Sequence, residues 1–349
     1  MEKVALTIDG VAVSVERGTT VLEAALANGI YIPHLCYHPD LTTVGACRLC
    51  MVEIKGRALT IACKVPVEPE MVVRTESPEI NMIRRVAAEL LIVNHHADCL
   101  SCPADSECKL QEVARYIGID EERLNRLRQP TRTMPLDTSN PFFLRDPNRC
   151  VFCGICVRTC EEINGVAAID FAFRGYDMAI STLGNKPILE STCESCGECV
   201  VRCPTAALVA RNSQKPAREV KTICNYCGVG CSLYLGVRGN AIVNVDGDPK
   251  GPANHGRLCV KGRFGWDFVN HPERLTKPLI RKDGTLIEAE WDEALDLVAR
   301  RFSEIKQQHG GNATAVLASA KCTDEENYVI QKFARAVLGT NNVDHCARL

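Results

Sequence analysis

The sequence predicts an α+β protein of several small domains in series, closed by the opening elements of an α/β domain. Three observations predict it. Twenty-one cysteines among 349 residues fall in short, regular spacings. Residues 3 to 16 alternate apolar and polar around Asp9-Gly10, ahead of a capped helix, and after residue 285 the pattern changes to helix, strand, helix. Forty-one basic against 43 acidic side chains leave no charge surplus to attract nucleic acid. The start has no apolar leader, and no stretch approaches eighteen uninterrupted apolar residues. A soluble, cytoplasmic chain without membrane insertion is expected, its thiols reduced and available to metals.

Asp9-Gly10 is a strong hairpin signal joining strands 3 to 8 and 11 to 16. Thr20 with Glu23 makes a capping box for a helix with Leu22, Leu26 and the intervening alanines on its apolar face, and Gly29 stands where a C-terminal glycine belongs. Strands are expected near 49 to 54, 58 to 62 and 71 to 75, so a small sheet crossed by one helix, the β-grasp outline, fills residues 1–78. Pro78 suits the first position of a helix carrying Ile80, Ile83, Val86, Ala87, Leu90 and Leu91 at helical spacing, which runs out at His95 and His96. A shorter helix, about 106 to 117, ends at Gly118 and completes a segment 79–118. Residues 119–141, charged and then proline-bearing, read as a linker. Region 142–215 holds an internal repeat: Cys150-Val151-Phe152-Cys153-Gly154-Ile155-Cys156 recurs as Cys193-Glu194-Ser195-Cys196-Gly197-Glu198-Cys199. A hairpin over 233 to 246, turning at Gly239-Asn240, lies in a domain 221–275. In 276–349, Trp291, Leu295, Val298, Phe302 and Ile305 line a helix face, 315 to 318 is a short buried strand, and Thr323 with Glu326 caps another helix.

Iron–sulfur clusters need thiolates converging from tight loops whose amides hydrogen-bond the sulfurs, and the cysteines form five such sets. Cys36, Cys47, Cys50 and Cys63, led by Gly45-Ala46 on a β-grasp background, suggest a 2Fe-2S cluster. Their first gap is ten residues where plant-type ferredoxins have four, and zinc is the competing occupant. His95 or His96 with Cys99, Cys102 and Cys108 suits 4Fe-4S and zinc equally. Cys150, Cys153, Cys156, Cys160 and Cys193, Cys196, Cys199, Cys203 with Pro204 are two C-x2-C-x2-C-x3-C runs, the two-cluster ferredoxin signature. There the last cysteine of each run serves the other cluster, so Cys203 joins Cys150, Cys153 and Cys156, and Cys160 joins Cys193, Cys196 and Cys199. Glu161 replaces the proline usual after the fourth cysteine, a departure that touches the local turn. Cys224, Cys227, Cys231 and Cys259 make a fifth set of different spacing, and Cys322 and Cys346 are left as small apolar fillers.

These residues resemble the N-terminal part of the catalytic (alpha) subunit of cytoplasmic NAD(P)-linked or bifurcating formate dehydrogenases of the molybdopterin oxidoreductase family. Residues 1 to 215 resemble the electron-input arm also found in the large subunit of respiratory complex I and in iron-only hydrogenases. In that arm a histidine four positions before the first cysteine completes the three-cysteine set, and His95 holds that position. From 221 onward, Cys224 to Cys231, Cys259-Val260-Lys261-Gly262-Arg263, Pro278-Leu279-Ile280-Arg281 and Trp291-Asp292-Glu293-Ala294-Leu295 resemble the opening of the pterin-dependent oxidoreductases.

The resemblance implies a β-grasp 2Fe-2S domain, a helical His/Cys-ligated 4Fe-4S segment, a two-cluster ferredoxin domain, a further 4Fe-4S domain and the start of an α/β molybdopterin oxidoreductase domain. It implies one 2Fe-2S and four 4Fe-4S clusters, plus a molybdenum or tungsten bis-pterin guanine dinucleotide in the full-length protein. Arg48, Arg149, Arg158, Arg202 and Lys261 beside the ligands would offset the negative charge of those clusters. Lys261 matches the family's cofactor-binding relay lysine between proximal cluster and pterin. The implied chemistry interconverts formate and carbon dioxide, with electrons exchanged through flavin/NAD(P)-binding or ferredoxin-reducing partner subunits. The alternative is a noncatalytic iron–sulfur electron-transfer subunit of a hydrogenase or NADH dehydrogenase-like complex. About 75 residues follow the fifth set, too few to complete the α/β sheet. In the family the segment like 341 to 349 precedes a metal-binding selenocysteine or cysteine. Leu349 is therefore expected to precede a selenocysteine codon, and the 349-residue chain alone to be inactive on formate.

Overall fold

The computed structural model describes residues 2–347 apart from 94, 97, 106, 129–132 and 212–213. The expected helix start at 106, part of the expected linker and the Leu349 junction lie outside the described residues. The chain divides into two compact units, Met1–Arg211 and Asn212–Leu349.

In the first unit, β1 (Lys3–Ile8) and β2 (Val11–Glu16) pair antiparallel with Ile8 opposite Val11. The turn places Asp9 at φ 50° and Gly10 at φ 82°, the two left-handed residues of a type I′ hairpin. Helix α1 (Val21–Ala27) starts at Thr20 with the capping box formed from both sides, and Gly29 follows at φ 74°. Strands β3 (Met51–Ile54), β4 (Thr60–Ile61) and β5 (Val72–Arg74) complete a sheet of order β2-β1-β5-β3-β4, with β1 and β5 parallel. Leu6, Ile8, Val21, Leu22, Ile32 and Val52 fill the space between sheet and helix. This is the expected β-grasp.

Helix α2 (Pro78–Ile92) is capped by Ser77 and begins with Pro78 at N1. Its buried stripe differs from the expected one. Val86 and Leu90 face outward, while Ile80, Arg84, Ala88 and Ile92, four residues apart, face inward with Glu89. Burial here follows polar partners: Arg84 has main-chain acceptors, and Glu89 receives both of its bonds from Arg123 Nε at 2.8–2.9 Å. Helix α3 (Lys109–Ile117) ends on the left-handed Gly118, and α4 (Glu121–Leu127), capped by Asp120, stands in the segment read as an aperiodic linker. Leu124, buried on that helix, packs with α2 and α3 residues. A seven-residue helix with a single buried apolar side chain leaves little periodicity to detect.

The rest of the unit is short elements wound around loops: β6 (Phe143–Arg145), α5 (Ile155–Arg158), β7 (Asp170–Ala172), β8 (Ala179–Ser181), α6 (Glu198–Val201) and β9 (Leu208–Ala210). β6 pairs with β9 and β7 with β8.

In the second unit, β10 (Arg218–Ile223), β11 (Ser232–Arg238) and β12 (Ala241–Gly247) form an antiparallel meander, with the expected turn at Gly239-Asn240. Short helices α7 (Val260–Phe264) and α8 (Asp267–Asn270) follow, then the hairpin β13 (Leu279–Lys282) and β14 (Thr285–Glu288). Helix α9 (Trp291–His309), β15 (Val316–Ala318), α10 (Asp324–Phe333) and β16 (Val343–His345) end the unit, β15 and β16 running parallel. Phe302 packs on Phe333, but Trp291, Leu295 and Val298 on the same α9 face are exposed, as is Leu317 on β15. Cys322 and Cys346, expected as apolar fillers, are half-buried and exposed, with Cys346 Sγ 3.4 Å from Ser319 Oγ.

Candidate functional site

The first set is enclosed. Cys36, Cys47, Cys50 and Cys63 are between 1% and 7% exposed. Cys47 N–H donates to Cys36 Sγ at 3.5 Å. The Cys36 thiol is lowered by its bond with the Cys47 side chain, and that of Cys63 by its bond with Cys50, while Cys47 and Cys50 are raised by the same bonds. Gly45, at φ 68°, leads into the pair where a Cβ would run into Ile61.

In the second set Cys99, Cys102 and Cys108 line one cavity of about 620 Å³ with His95 and His96. Cys108 stands at the N-cap of α3, raised first by burial and then by Cys102 and Cys99. His95 Nδ1 and His96 Nε2 are both buried without a hydrogen-bond partner. Burial holds His95 below the usual imidazole value, and its ring bonds the Arg149 carbonyl. A neutral imidazole whose other nitrogen is fixed by a carbonyl is what a metal ligand requires. The geometry offers both histidines.

The tandem runs show the repeat in their backbones. Phe152 and Ser195 occupy left-handed φ of 53° and 57°, and Gly154 and Gly197 φ of 69° and 77°, each glycine opening a four-residue helix, α5 or α6. The turns aim Phe152 N–H at Cys150 Sγ and Ser195 N–H at Cys193 Sγ, both at 3.4 Å. Cys150, Cys153, Cys156 and Cys203 line one small cavity of about 40 Å³. Cys153 is pushed up to about 12 by burial, with Cys203 and Cys150 adding. Cys160, by contrast, acts on Cys193, Cys196 and Cys199, whose thiols are raised first by burial. The fourth cysteine of each run thus lies with the other run's three. Cys160 sits in a π-helical turn, Thr159–Ile163, that continues α5 through Glu161, and its Sγ accepts from Ala168 N–H at 3.2 Å.

In the second unit, Cys224 and Cys231 close a turn through Cys224 N–H to Cys231 O at 2.8 Å. Cys259 is the N-cap of α7. Burial raises Cys224 and Cys231, and Cys227 and Cys259 act on both. Lys261, exposed on α7, opposes the rise at Cys224. Gly262 is buried with its Cα hydrogens toward Cys224, where a Cβ would stand 3.6 Å from Sγ. Asn254 ties the loop before Cys259 to Ser232 by bonds to its N–H and carbonyl at 2.9 and 3.0 Å.

Within the first unit the Cys150/Cys153/Cys156/Cys203 hollow is central. A cavity of about 370 Å³ is lined by both Cys47 and Cys150 with Cys153. On another side Cys108 Sγ lies 3.7 Å from the carbonyl of Pro204, next to Cys203. On the third, Cys199 acts on Cys156, and Cys203 on Cys199. Among the described residues no three histidine, cysteine or acidic side chains gather closely enough for a single metal ion, so these groupings rest on shared cavities, bonds and mutual charge.

Two residues that the cysteine motifs do not announce touch these sites. Asn164 donates from Nδ2 to Cys196 Sγ at 2.9 Å, with no pattern in the sequence to mark it. Arg84 reaches the carbonyls flanking Cys50. Its signal was present, since a charge four residues after Ile80 and four before Ala88 lies on the buried stripe of a helix.

Thiolate nests set in tight loops, each with its own sulfur-directed hydrogen bonds or facing charges, define an iron–sulfur electron-transfer protein. Comparison with known families agrees along the chain. Residues 1–78 match a 2Fe-2S iron–sulfur cluster binding domain, 84–123 the NADH-ubiquinone oxidoreductase-G iron–sulfur binding region, and 140–209 the ferredoxin-like domain of NADH-quinone oxidoreductase subunit 3. Residues 217–271 match the molybdopterin oxidoreductase Fe4S4 domain and 274–349 the molybdopterin oxidoreductase domain. The chain thus carries a 2Fe-2S domain and 4Fe-4S domains in series, followed by a stretch that matches the start of the molybdopterin oxidoreductase domain.

It is 38% identical over 349 residues to a Rhizobium meliloti protein named as a subunit of NADH-quinone oxidoreductase, covering 98% of this chain and 40% of that protein. It is 36% identical over 353 residues to the alpha subunit of the NADPH-Fe(3+) oxidoreductase of Geobacter sulfurreducens, covering 99% and 40%. A Staphylococcus haemolyticus protein named "Putative formate dehydrogenase" is 32% identical over 392 residues, covering 99% and 39%. The chain therefore spans about two-fifths of the length of these relatives. A crystal structure of an NAD+-reducing [NiFe]-hydrogenase superposes with a TM-score of 0.54 at 31% identity, over 60% of this chain and 87% of that one. No helix among the described residues is long and apolar enough to cross a membrane.

Proposed function

We propose that the chain is the electron-conducting part of a cytoplasmic formate dehydrogenase-type molybdopterin oxidoreductase, carrying one 2Fe-2S and four 4Fe-4S clusters. The ligands are Cys36, Cys47, Cys50 and Cys63; His95, Cys99, Cys102 and Cys108; Cys150, Cys153, Cys156 and Cys203; Cys193, Cys196, Cys199 and Cys160; and Cys224, Cys227, Cys231 and Cys259. The observation that carries this is the central hollow of Cys150, Cys153, Cys156 and Cys203, against which the other three cysteine sets of the first unit lie. That arrangement is a junction, as needed to collect electrons from more than one entry point.

Bound clusters supply one-electron storage, and a bis-pterin molybdenum or tungsten group supplies the two-electron interconversion of formate and carbon dioxide. The chain's own part is electrostatic. Main-chain N–H groups of Phe152, Ser195 and Ala168 and the Asn164 amide point at sulfur and stabilise added negative charge. Lys261, on the turn after Cys259, places a cation beside Cys224 and is the relay residue toward the pterin.

Support for formate comes from the relatives named for it and from the molybdopterin domains. A second reading, an electron-transfer subunit of a hydrogenase or NADH dehydrogenase-like complex with flavin- or NAD(P)-binding partners, is favoured by the 87% coverage of the hydrogenase chain. Anaerobic mixing of the complete native complex with formate separates them. Bleaching of the cluster absorbance by formate is expected, whereas bleaching by NADH or hydrogen alone supports the second reading.

A further inference from the structure

The loop carrying the first cysteine set is gripped by two guanidinium groups from outside the β-grasp. Arg84, on α2 and 1% exposed, donates from Nε to Leu49 O at 2.9 Å and from Nη2 to Met51 O at 2.8 Å, the carbonyls on either side of Cys50. Arg158, at the end of α5 and 7% exposed, donates from Nη2 to Cys36 O and from Nη1 to Thr42 O, both at 2.6 Å. Each keeps a buried nitrogen without an acceptor, Nη1 of Arg84 and Nε of Arg158.

Among the described residues neither forms an ion pair with a carboxylate, whereas the similarly shielded Arg145 and Arg202 pair with Asp137 and Glu198. Burial pulls the Arg84 guanidinium below its ordinary value. A buried cation without a counter-anion is strongly destabilising, and main-chain carbonyls solvate its charge without cancelling it. Tyr116, Glu76, Cys50 and Asp9 act on Arg84 without an ion pair to it, and the cysteine set that both guanidiniums grip offers a larger negative charge. Four deprotonated thiolates around a dicationic 2Fe-2S core carry a net charge of about −2, and reduction adds one more.

We infer that Arg84 and Arg158 are the counter-cations of the centre held by Cys36, Cys47, Cys50 and Cys63, and that they set its reduction potential. This rests on the cluster assignment proposed above. On reduction one electron enters the centre from a neighbouring cluster or an added reductant, no proton moves, and the two guanidiniums stabilise the added charge. Their reach differs. Arg158 lies between Cys156 and Cys160 in the chain, ligands of two further clusters, and so borders three centres, while Arg84 faces the 2Fe-2S loop alone.

The test is a redox titration of the purified, cluster-loaded chain followed by electron paramagnetic resonance. Arg84→Gln and Arg158→Gln should each make reduction of the 2Fe-2S centre about tenfold less favourable, a fall of about 59 mV for one electron. Arg84→Lys and Arg158→Lys, which keep the charge, should stay within about threefold, as should Arg57→Gln, which removes an exposed arginine paired with Glu68. Arg158→Gln should also lower a 4Fe-4S potential, and Arg84→Gln should not. If Arg84→Gln assembles no cluster, Arg158→Gln decides. An intact 2Fe-2S signal with unchanged potential in the glutamine variants, or lysine variants that fall as far, overturns the inference alone. Absence of a 2Fe-2S signal from the unsubstituted protein overturns the cluster assignment and the inference with it.

Discussion

At the scale of single residues the cysteines act in pairs that sequence adjacency would not make. Cys203 follows Cys199 by four positions, yet it lines the hollow of Cys150, Cys153 and Cys156. Cys203→Ser should therefore damage the cluster of the first run and leave that of Cys193, Cys196 and Cys199, as read by low-temperature resonance spectra; the reverse pattern would rule out the crossover. His95→Ala should alter one cluster's spectrum while His96→Ala should not, although the fold buries an unpartnered nitrogen on both. The cysteine groupings stand out in the sequence because cluster chemistry imposes spacing on the chain itself. Arg84, Arg158 and Asn164 act through folding, by reaching partners 33 or more, 116 or more and 32 residues away; helical spacing marks Arg84 as inward-facing, but nothing in the spacing names its partners or marks Arg158 and Asn164.

At the scale of elements, local chemistry decides how well the sequence speaks. The β1–β2 hairpin and α1 match expectation because Asp9-Gly10 and the Thr20/Glu23 box act within four residues. Thr20→Ala should cost about 0.5–2 kcal/mol in denaturation of the loaded chain. Burial pushes the Glu23 carboxyl up, but bonds from Thr20 N–H and hydroxyl and from the Tyr37 hydroxyl overcome it and leave the group below its ordinary 4.5. A depressed carboxyl contributes stability that is present above its unfolded value and lost as pH falls through the lower folded value. The advantage over Glu23→Gln should thus be seen at neutral pH and vanish on acidification below 4.5; a constant difference would rule out the charged cap. Helices α2 and α4 were less legible, since α2 turns Arg84 and Glu89 inward and α4 answers to Arg123 on Glu89 rather than to an apolar face.

At the scale of the whole molecule, a long chain of short elements is held together by what its loops enclose. The stretch from 150 to 207 has helices of four residues and strands of three, too little regular structure to stand on hydrophobic burial alone. Metal-bound thiolates would supply the missing crosslinks, since cluster binding is folding free energy for such a region. The second unit has fewer buried apolar groups and an exposed α9 face, yet its parallel β15–β16 pair sets the α/β direction that helix periodicity suggested. The junction hollow and the arginine grip require that the four cysteine sets of the first unit hold iron and inorganic sulfide, and the Lys261 relay requires the same of the fifth set in the second unit. Iron, sulfide and zinc analysis of anaerobically prepared protein tests this most directly. The account predicts about 18 iron atoms per chain, matching one 2Fe-2S and four 4Fe-4S clusters, with zinc absent; about 14 or fewer together with stoichiometric zinc would contradict it.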